Sequence, residues 1–237
     1  MNKITYKGKF LIIKQKEKEI LVVGDLHLGF ESALNQAGIF INRYIFEEVE
    51  KSFDELFEFK DKFNEIVLLG DIKHTFGSIL KEERQQFEKI IEKLEKRTEK
   101  LIITKGNHDV LINYLPKKDN LEIKDYYLSE EIAFLHGDRD FDLIKDKKIK
   151  TIVIGHLHPA IVLRDGVKSE KYKCFLEGKY KDKNFIICPS FISSNEGTDP
   201  RDYLTKLPWP LELEEFKVIA VGNELENFEF GKLKEIN

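Results

Sequence analysis

All six histidines of this 237-residue chain fall in five short motifs, and each motif follows an apolar run. The motifs are Asp25-x-His27, Gly70-Asp71-x-x-His74, Gly106-Asn107-His108-Asp109, His136-Gly137-Asp138 and Gly155-His156-x-His158. Imidazole and carboxylate together suit divalent Mn, Fe, Zn or Ni. The lack of cysteine in every motif argues against a closed structural zinc site. Two such cations about 4 Å apart clamp a phosphate, sharpen a hydroxide held between them into a nucleophile and balance charge during in-line displacement. A bridge between them requires a carboxylate. The leaving oxygen requires a proton donor titrating near neutrality, which imidazole supplies. Each fragment alone is weak, since a lone Asp-x-His is ordinarily surface chemistry and Gly-Asn-His-Asp is often only a turn. Six imidazoles, two aspartates and an asparagine that all follow strand-like runs form a joint pattern that chance seldom produces.

The runs that must position these groups are residues 20–23, 66–69, 101–103, 132–135 and 152–154. Short and rich in β-branched residues, they read as strands buried on both faces. Phe46, Val49, Phe53, Leu56 and Phe57 follow helical spacing, as do Phe87, Ile90, Ile91 and Leu94. Strands alternating with helices predict βαβ units with ligand groups at the carboxyl ends of the strands. After residue 160 the pattern changes to strand-like segments at 160–163, 172–176, 185–188, 216–221 and 225–230. These predict a second, largely antiparallel sheet stacked on the first. No repeat, low-complexity tract or Gly/Ser linker divides the chain, so residues 1–237 read as one domain.

Hydrophobic residues make up 41% of the chain, enough for a sizeable core, and the 35% charged residues are mixed in sign. A net charge of −4 excludes wholesale electrostatic binding of nucleic acid and leaves only a local patch. The one charge bias is at residues 143–183, with eleven Lys or Arg against five Asp or Glu. Cys174 and Cys188 are the only cysteines and read as ordinary thiols rather than a disulfide framework. No leader pattern opens the chain and no apolar stretch approaches the roughly 18 residues of a membrane span. The expectation is a cytoplasmic protein with no membrane contact.

Taken in order, the DxH, GDxxH, GNHD, H and GHxH motifs resemble those of the calcineurin-like metallophosphoesterases. The resemblance implies an α/β protein, a four-layer α/β/β/α sandwich, with a site for two divalent metal ions at its sheet edges. It implies that Asp25, His27 and His158 hold one metal, that Asp71 bridges, and that Asn107, His136 and His156 hold the second. His108 matches the family's catalytic imidazole, a general acid rather than a ligand. Asp109 beside it either orients that imidazole or caps a helix start. His74 matches a histidine that, in the nuclease branch, positions the substrate phosphate; a simple supporting hydrogen bond is the other reading. The GDIKH motif, the short chain and the late CPSFISSNEGTD segment are similar to the archaeal SbcD-related phosphoesterases and to bacterial metallophosphoesterases encoded beside DNA ligases. Those likenesses imply a manganese-dependent phosphodiesterase acting on DNA, with Fe, Ni or Zn as alternative metals and a DNA helicase or ligase as partner. Two rivals stand beside it: a hydrolase of small phosphodiesters or nucleotides, and a noncatalytic metal-bound scaffold for a DNA-repair partner.

Overall fold

The two-residue period of buried strands organises the protein, seen in a computed structural model that describes residues 2–39, 44–116, 118–166, 168–192, 197–202 and 207–236. One sheet contains β1 (Lys3–Lys7), β2 (Phe10–Gln15), β3 (Lys18–Val23), β4 (Phe63–Leu68), β5 (Thr98–Thr104) and β6 (Leu121–Lys124), in that spatial order. β1, β2 and β3 pair antiparallel, whereas β3, β4, β5 and β6 run parallel. Parallel neighbours need long crossovers, and these carry α1 (Phe30–Gln36), α2 (Ile45–Phe59) and α3 (Lys81–Glu95). The apolar stripes expected at Phe46–Phe57 and Phe87–Leu94 lie on α2 and α3, and all their members but the half-buried Phe46 are buried. They pack against Leu21, Val23, Ile66, Leu68, Leu101 and Ile103 of the strands. The alternate residues Ile20, Val22, Val67 and Ile102 point the other way, into a separate core. A strand with apolar neighbours on both faces has to read as a continuous apolar run.

That second core is shared with a sheet of eight strands. They are β7 (Tyr126–Ser129), β8 (Ile132–Leu135), β9 (Thr151–Ile154), β10 (Ala160–Asp165), β11 (Lys168–Tyr180), β12 (Lys183–Ile187), β13 (Lys217–Val221) and β14 (Asn227–Lys232). Their spatial order is β14-β13-β11-β12-β9-β8-β7, with β10 beside β11. Phe134, Val153, Phe175, Ile186, Cys188 and Ile219 face the first sheet. On the outer face, Leu135, Ile152, Ile154 and Phe185 are covered by Leu143, Trp209, Phe216 and Leu233. This outermost layer consists of 3-10 turns and extended stretches; among the described residues it has no α-helix.

One sequence expectation is corrected. The change from first to second sheet falls between Lys124 and Tyr126, not at residue 160. β8 and β9 therefore belong to the second sheet, where β8, β9 and β12 run parallel and the sheet is mixed. An apolar run buried on both faces looks the same in either sheet, so periodicity could not assign it. Cys174 and Cys188 are both buried free thiols. Among the described residues no helix is long and apolar enough to cross a membrane.

Candidate metal centre and active site

Five strand ends converge where the two sheets meet. β3, β4 and β5 of the first sheet lead into Asp25, Asp71 and Asn107; β8 and β9 of the second lead into His136 and His156. The loops behind β3 and β4 are zipped together by main-chain bonds from His27 N to Asp71 O (2.8 Å) and from Leu28 N to Ile72 O (2.8 Å). The backbone turns sharply at the candidate ligands themselves. His27, Asp71, His156 and His158 have φ of 44°, 47°, 63° and 47°, the left-handed region that non-glycine residues avoid. Each such residue costs roughly 1–3 kcal/mol and persists only where its surroundings hold it. Two motif glycines permit the crowding. A Cβ on Gly106 would lie 2.2 Å from Asp71 Oδ1, and one on Gly155 would lie 2.4 Å from Asp25 Oδ2.

The side chains gather in two groups, each with its ligand atoms within 4.8 Å of one another. The first is Asp25, His27 and His158, with His158 Nε2 lying 3.1 Å from Asp25 Oδ1 and 3.3 Å from His27 Nε2. The second is Asp71, His136 and His156. His136 Nε2 lies 3.4 Å from Asp71 Oδ2 and 3.0 Å from His156 Nδ1, with Asn107 Oδ1 3.1 Å away. His136 Nδ1 sits 2.8 Å from the Leu69 carbonyl. A carbonyl only accepts, so Nδ1 carries the hydrogen and Nε2 turns its lone pair to the cluster. Imidazole nitrogens that face each other and the carboxylates across about 3 Å are the donor set a divalent cation satisfies. The residues present fit such ions.

Electrostatics point the same way. Burial alone would raise the Asp25 pKa, but the imidazoles of His158, His136 and His27 outweigh it and hold the carboxyl well below the usual range. Burial pushes Asp71 upward, with the Asp25 charge adding to it, against the pull of His136. Burial would lower His136, yet Asp25 and Asp71 raise it. Burial and neighbouring imidazoles lower His27, and take His156 and His74 down to about 4. Burial thus keeps His27, His74 and His156 neutral at physiological pH, the form in which an imidazole binds metal.

The remaining candidates sit beside this cluster. The His108 backbone N–H donates to Asp71 Oδ1 (2.9 Å), and its Nδ1–H donates to the His74 carbonyl, leaving Nε2 3.8 Å from Asp71 Oδ2. Burial lowers its pKa. The Phe76 ring packs on the imidazole with centroids 3.6 Å apart. Ligand atoms of His27, His74 and His108 form a third close group. Asp109 takes neither role expected of it. Its carboxylate accepts from the main-chain N–H groups of Ile72 (3.0 Å), Lys73 (3.4 Å) and Gly106 (3.0 Å), so it ties the Asp71 loop to the Asn107 loop. The imidazole next to it is held by a carbonyl instead. The sequence reading missed that carbonyl, and it also missed Glu83, a fully buried carboxylate at the start of α3.

The sequence profile of the calcineurin-like phosphoesterases matches residues 18–185, which hold every residue of the cluster. The chain belongs to that family. As a calcineurin-like phosphoesterase it is a metal-dependent phosphoesterase. Among solved structures, a nuclease named MPE from Pseudomonas putida aligns with TM-score 0.58 at 16% identity, covering 96% of this chain and 100% of that one. A protein of unknown function from Aquifex aeolicus aligns with TM-score 0.40 at 16% identity over 59% of this chain and 78% of its own. Vps29 from Entamoeba histolytica gives 0.39 at 14% identity over 90% and 99%. At these identities the first alignment shows that the calcineurin-like fold is shared. Among curated proteins none matches the chain significantly.

Proposed function

We propose that this phosphoesterase cleaves the phosphodiester bonds of DNA with two divalent cations, Mn²⁺ first among them. The observation that carries the reading is the meeting of Asp25, Asp71 and the imidazoles of both sheets at one edge, with His108 alongside. In this reading Asp25, His27 and His158 would hold one cation, Asn107, His136 and His156 would hold the other, and Asp71 would serve both. When bound, the pair supplies Lewis acidity and neutralises charge on the phosphate. The protein's own groups do the rest. His108 keeps its Nδ1 proton on the His74 carbonyl and delivers a second proton from Nε2 to the leaving oxygen. His74 and His27 flank it closely enough for a phosphate to meet all three rings. A cleft of about 410 Å³ opens beside Asn107, with Lys105 and Arg139 among its lining residues. Support for DNA comes from the GDxxH histidine and from the nuclease activity named for the Pseudomonas putida protein.

The basic segment 143–183 contributes less than its composition promised. Lys179, Lys181 and Lys183 lie at the β11–β12 turn, whose strand ends pair near Thr151, at the end of β9 away from the site. Lys183 is buried and donates to the Asp146 carbonyl at 3.0 Å, which brings residues 145–150 to that same far end. Only Arg164, Lys168, Lys171 and Lys173 lie on the β10–β11 hairpin that returns toward His158, with Lys173 opposite Ala160. This split favours a second reading, hydrolysis of small phosphodiesters. Turnover of bis-p-nitrophenyl phosphate with Mn²⁺, run beside plasmid nicking and a phosphomonoester, separates the two. Rapid diester turnover with every form of DNA left intact refutes the nuclease reading.

A further inference from the structure

We infer that Glu83 is a positioning residue for His108, acting through the peptide of His74. Glu83 lies in the first turn of α3 and is fully buried, yet it belongs to none of the motifs. Its Oε1 accepts from the main-chain N–H groups of His74 (2.9 Å) and Thr75 (2.9 Å), and its Oε2 accepts from Leu80 (3.2 Å). One carboxylate therefore closes both ends of the loop between Asp71 and α3. The carbonyl of His74, which shares its peptide unit with the Thr75 N–H that Glu83 holds, receives the Nδ1–H of His108. Catalytic imidazoles need such a partner to fix ring and tautomer, and Asp109, the acidic residue next in sequence, is committed to main-chain N–H groups instead. The connection thus runs from Glu83 to the His74 peptide to His108 Nδ1. The site leaves this brace no slack. A Cβ on Gly29, whose φ is 81°, would lie 2.7 Å from Glu83 Cβ, and Gly29 N donates to Gln86 Oε1 one turn further along α3 (2.8 Å). A helix cap alone needs only the bond to Leu80; the two bonds to the loop serve the site.

The inference rests on His108 as proton donor, so the test varies the leaving group without relying on DNA. Glu83→Gln replaces one accepting oxygen with an NH₂ group and weakens the clamp. Two diesters are compared with Mn²⁺: bis-p-nitrophenyl phosphate, whose leaving group needs no proton, and diphenyl phosphate read at phenol release, whose leaving group does. Glu83→Gln lowers kcat for phenol release roughly 10- to 100-fold, the cost of misplacing a catalytic group by about 1 Å, with KM unchanged. Its effect on p-nitrophenol release from bis-p-nitrophenyl phosphate stays within about threefold. In a His108→Ala background the same substitution has no further effect on either, because the group it positions is gone. Equal losses on both esters, or an undiminished loss in the His108→Ala background, would show that Glu83 only stabilises the fold. A His108→Ala variant indifferent to the leaving group would instead overturn the acid assignment, and the inference with it. If the Gln variant does not fold, Glu83→Asp, which keeps the charge but withdraws it by one methylene, is read by the same criteria.

Discussion

Replacing Gly106 with alanine tests whether the site tolerates any displacement of Asp71. The added Cβ would stand 2.2 Å from Asp71 Oδ1, 2.5 Å from its main-chain N and 2.9 Å from its Cγ. Ordinary contact requires the carboxylate to retreat by roughly 1 Å, and the nearby main-chain atom prevents a purely rotameric escape. Metal–ligand distances tolerate only about 0.2 Å, so the displaced carboxylate cannot serve two cations. The retreat also breaks the bond from the His108 N–H to Asp71 Oδ1. Overpacking costs about 1–3 kcal/mol and a hydrogen bond to a charged group about 1.5–3, which together lower the melting temperature by roughly 5–25 °C. Wild-type protein at a metal concentration 100 times Kd gains about 2.7 kcal/mol, roughly 5–10 °C. Gly106→Ala loses most of that metal-dependent gain. Scanning calorimetry with and without Mn²⁺, together with metal content after dialysis, reads both effects. A variant that melts lower but keeps two tightly bound ions and full turnover would refute the claim that Gly106 makes room for Asp71.

Three further outcomes follow from the same geometry. His108→Ala retains both metals, because the bond to Asp71 comes from the backbone N–H; it loses about 10²- to 10⁴-fold in rate on substrates with alkoxide leaving groups, and metal content beside turnover checks this. In chelated protein Asp71 titrates above the usual carboxylate range and binds metal only when ionised, so metal competes with the proton. Affinity therefore falls as pH drops below neutrality, and calorimetry in buffers of different ionisation enthalpy detects more protons released at pH 6 than at pH 8; uptake without proton release would contradict the Asp71 assignment. Charge removal at Arg164 and Lys168 on the hairpin weakens DNA cleavage and flattens its salt dependence, the log–log slope falling by about 0.7–0.9 for each phosphate no longer neutralised, whereas removal at Lys147 and Lys181 changes neither. Equal effects from both pairs would mean that the hairpin does not face the substrate.

Much of this site could be read from the sequence, because its chemistry is concentrated at strand ends. Each apolar run named in advance overlaps a strand, and the residues behind the first five meet in one cluster. Helical spacing located α2 and α3 because each has a single apolar stripe. What periodicity could not give was sheet membership. Ile152 and Val153 read like Ile66 and Val67, and only tertiary pairing places them in different sheets. Asp109 was read from its neighbour in sequence, whereas its partners lie on another loop at Ile72 and Lys73. Glu83 went unread for a related reason. Its helix begins at Leu80, where a Ser or Thr would have signalled a capping box, and its acceptors serve N–H groups of a loop that has no pattern. The CPSFISSNEGTD segment falls partly outside the described residues at 193–196.

The division of the ligands between two sheets has a consequence for how the protein is made. As the chain leaves the ribosome, β1 to β6 emerge first, bringing Asp25, His27, Asp71, Asn107 and His108 but none of His136, His156 and His158. The helices can cover one face of that sheet at once. The other face, with Leu11, Ile13, Ile20, Val22, Val67 and Ile102, stays bare until β8, β9 and β12 arrive. A nascent chain halted after β6 thus holds half a coordination sphere beside an open apolar surface, a state prone to aggregation. Metal capture becomes one of the last events of biosynthesis, and it reports that both sheets have come together.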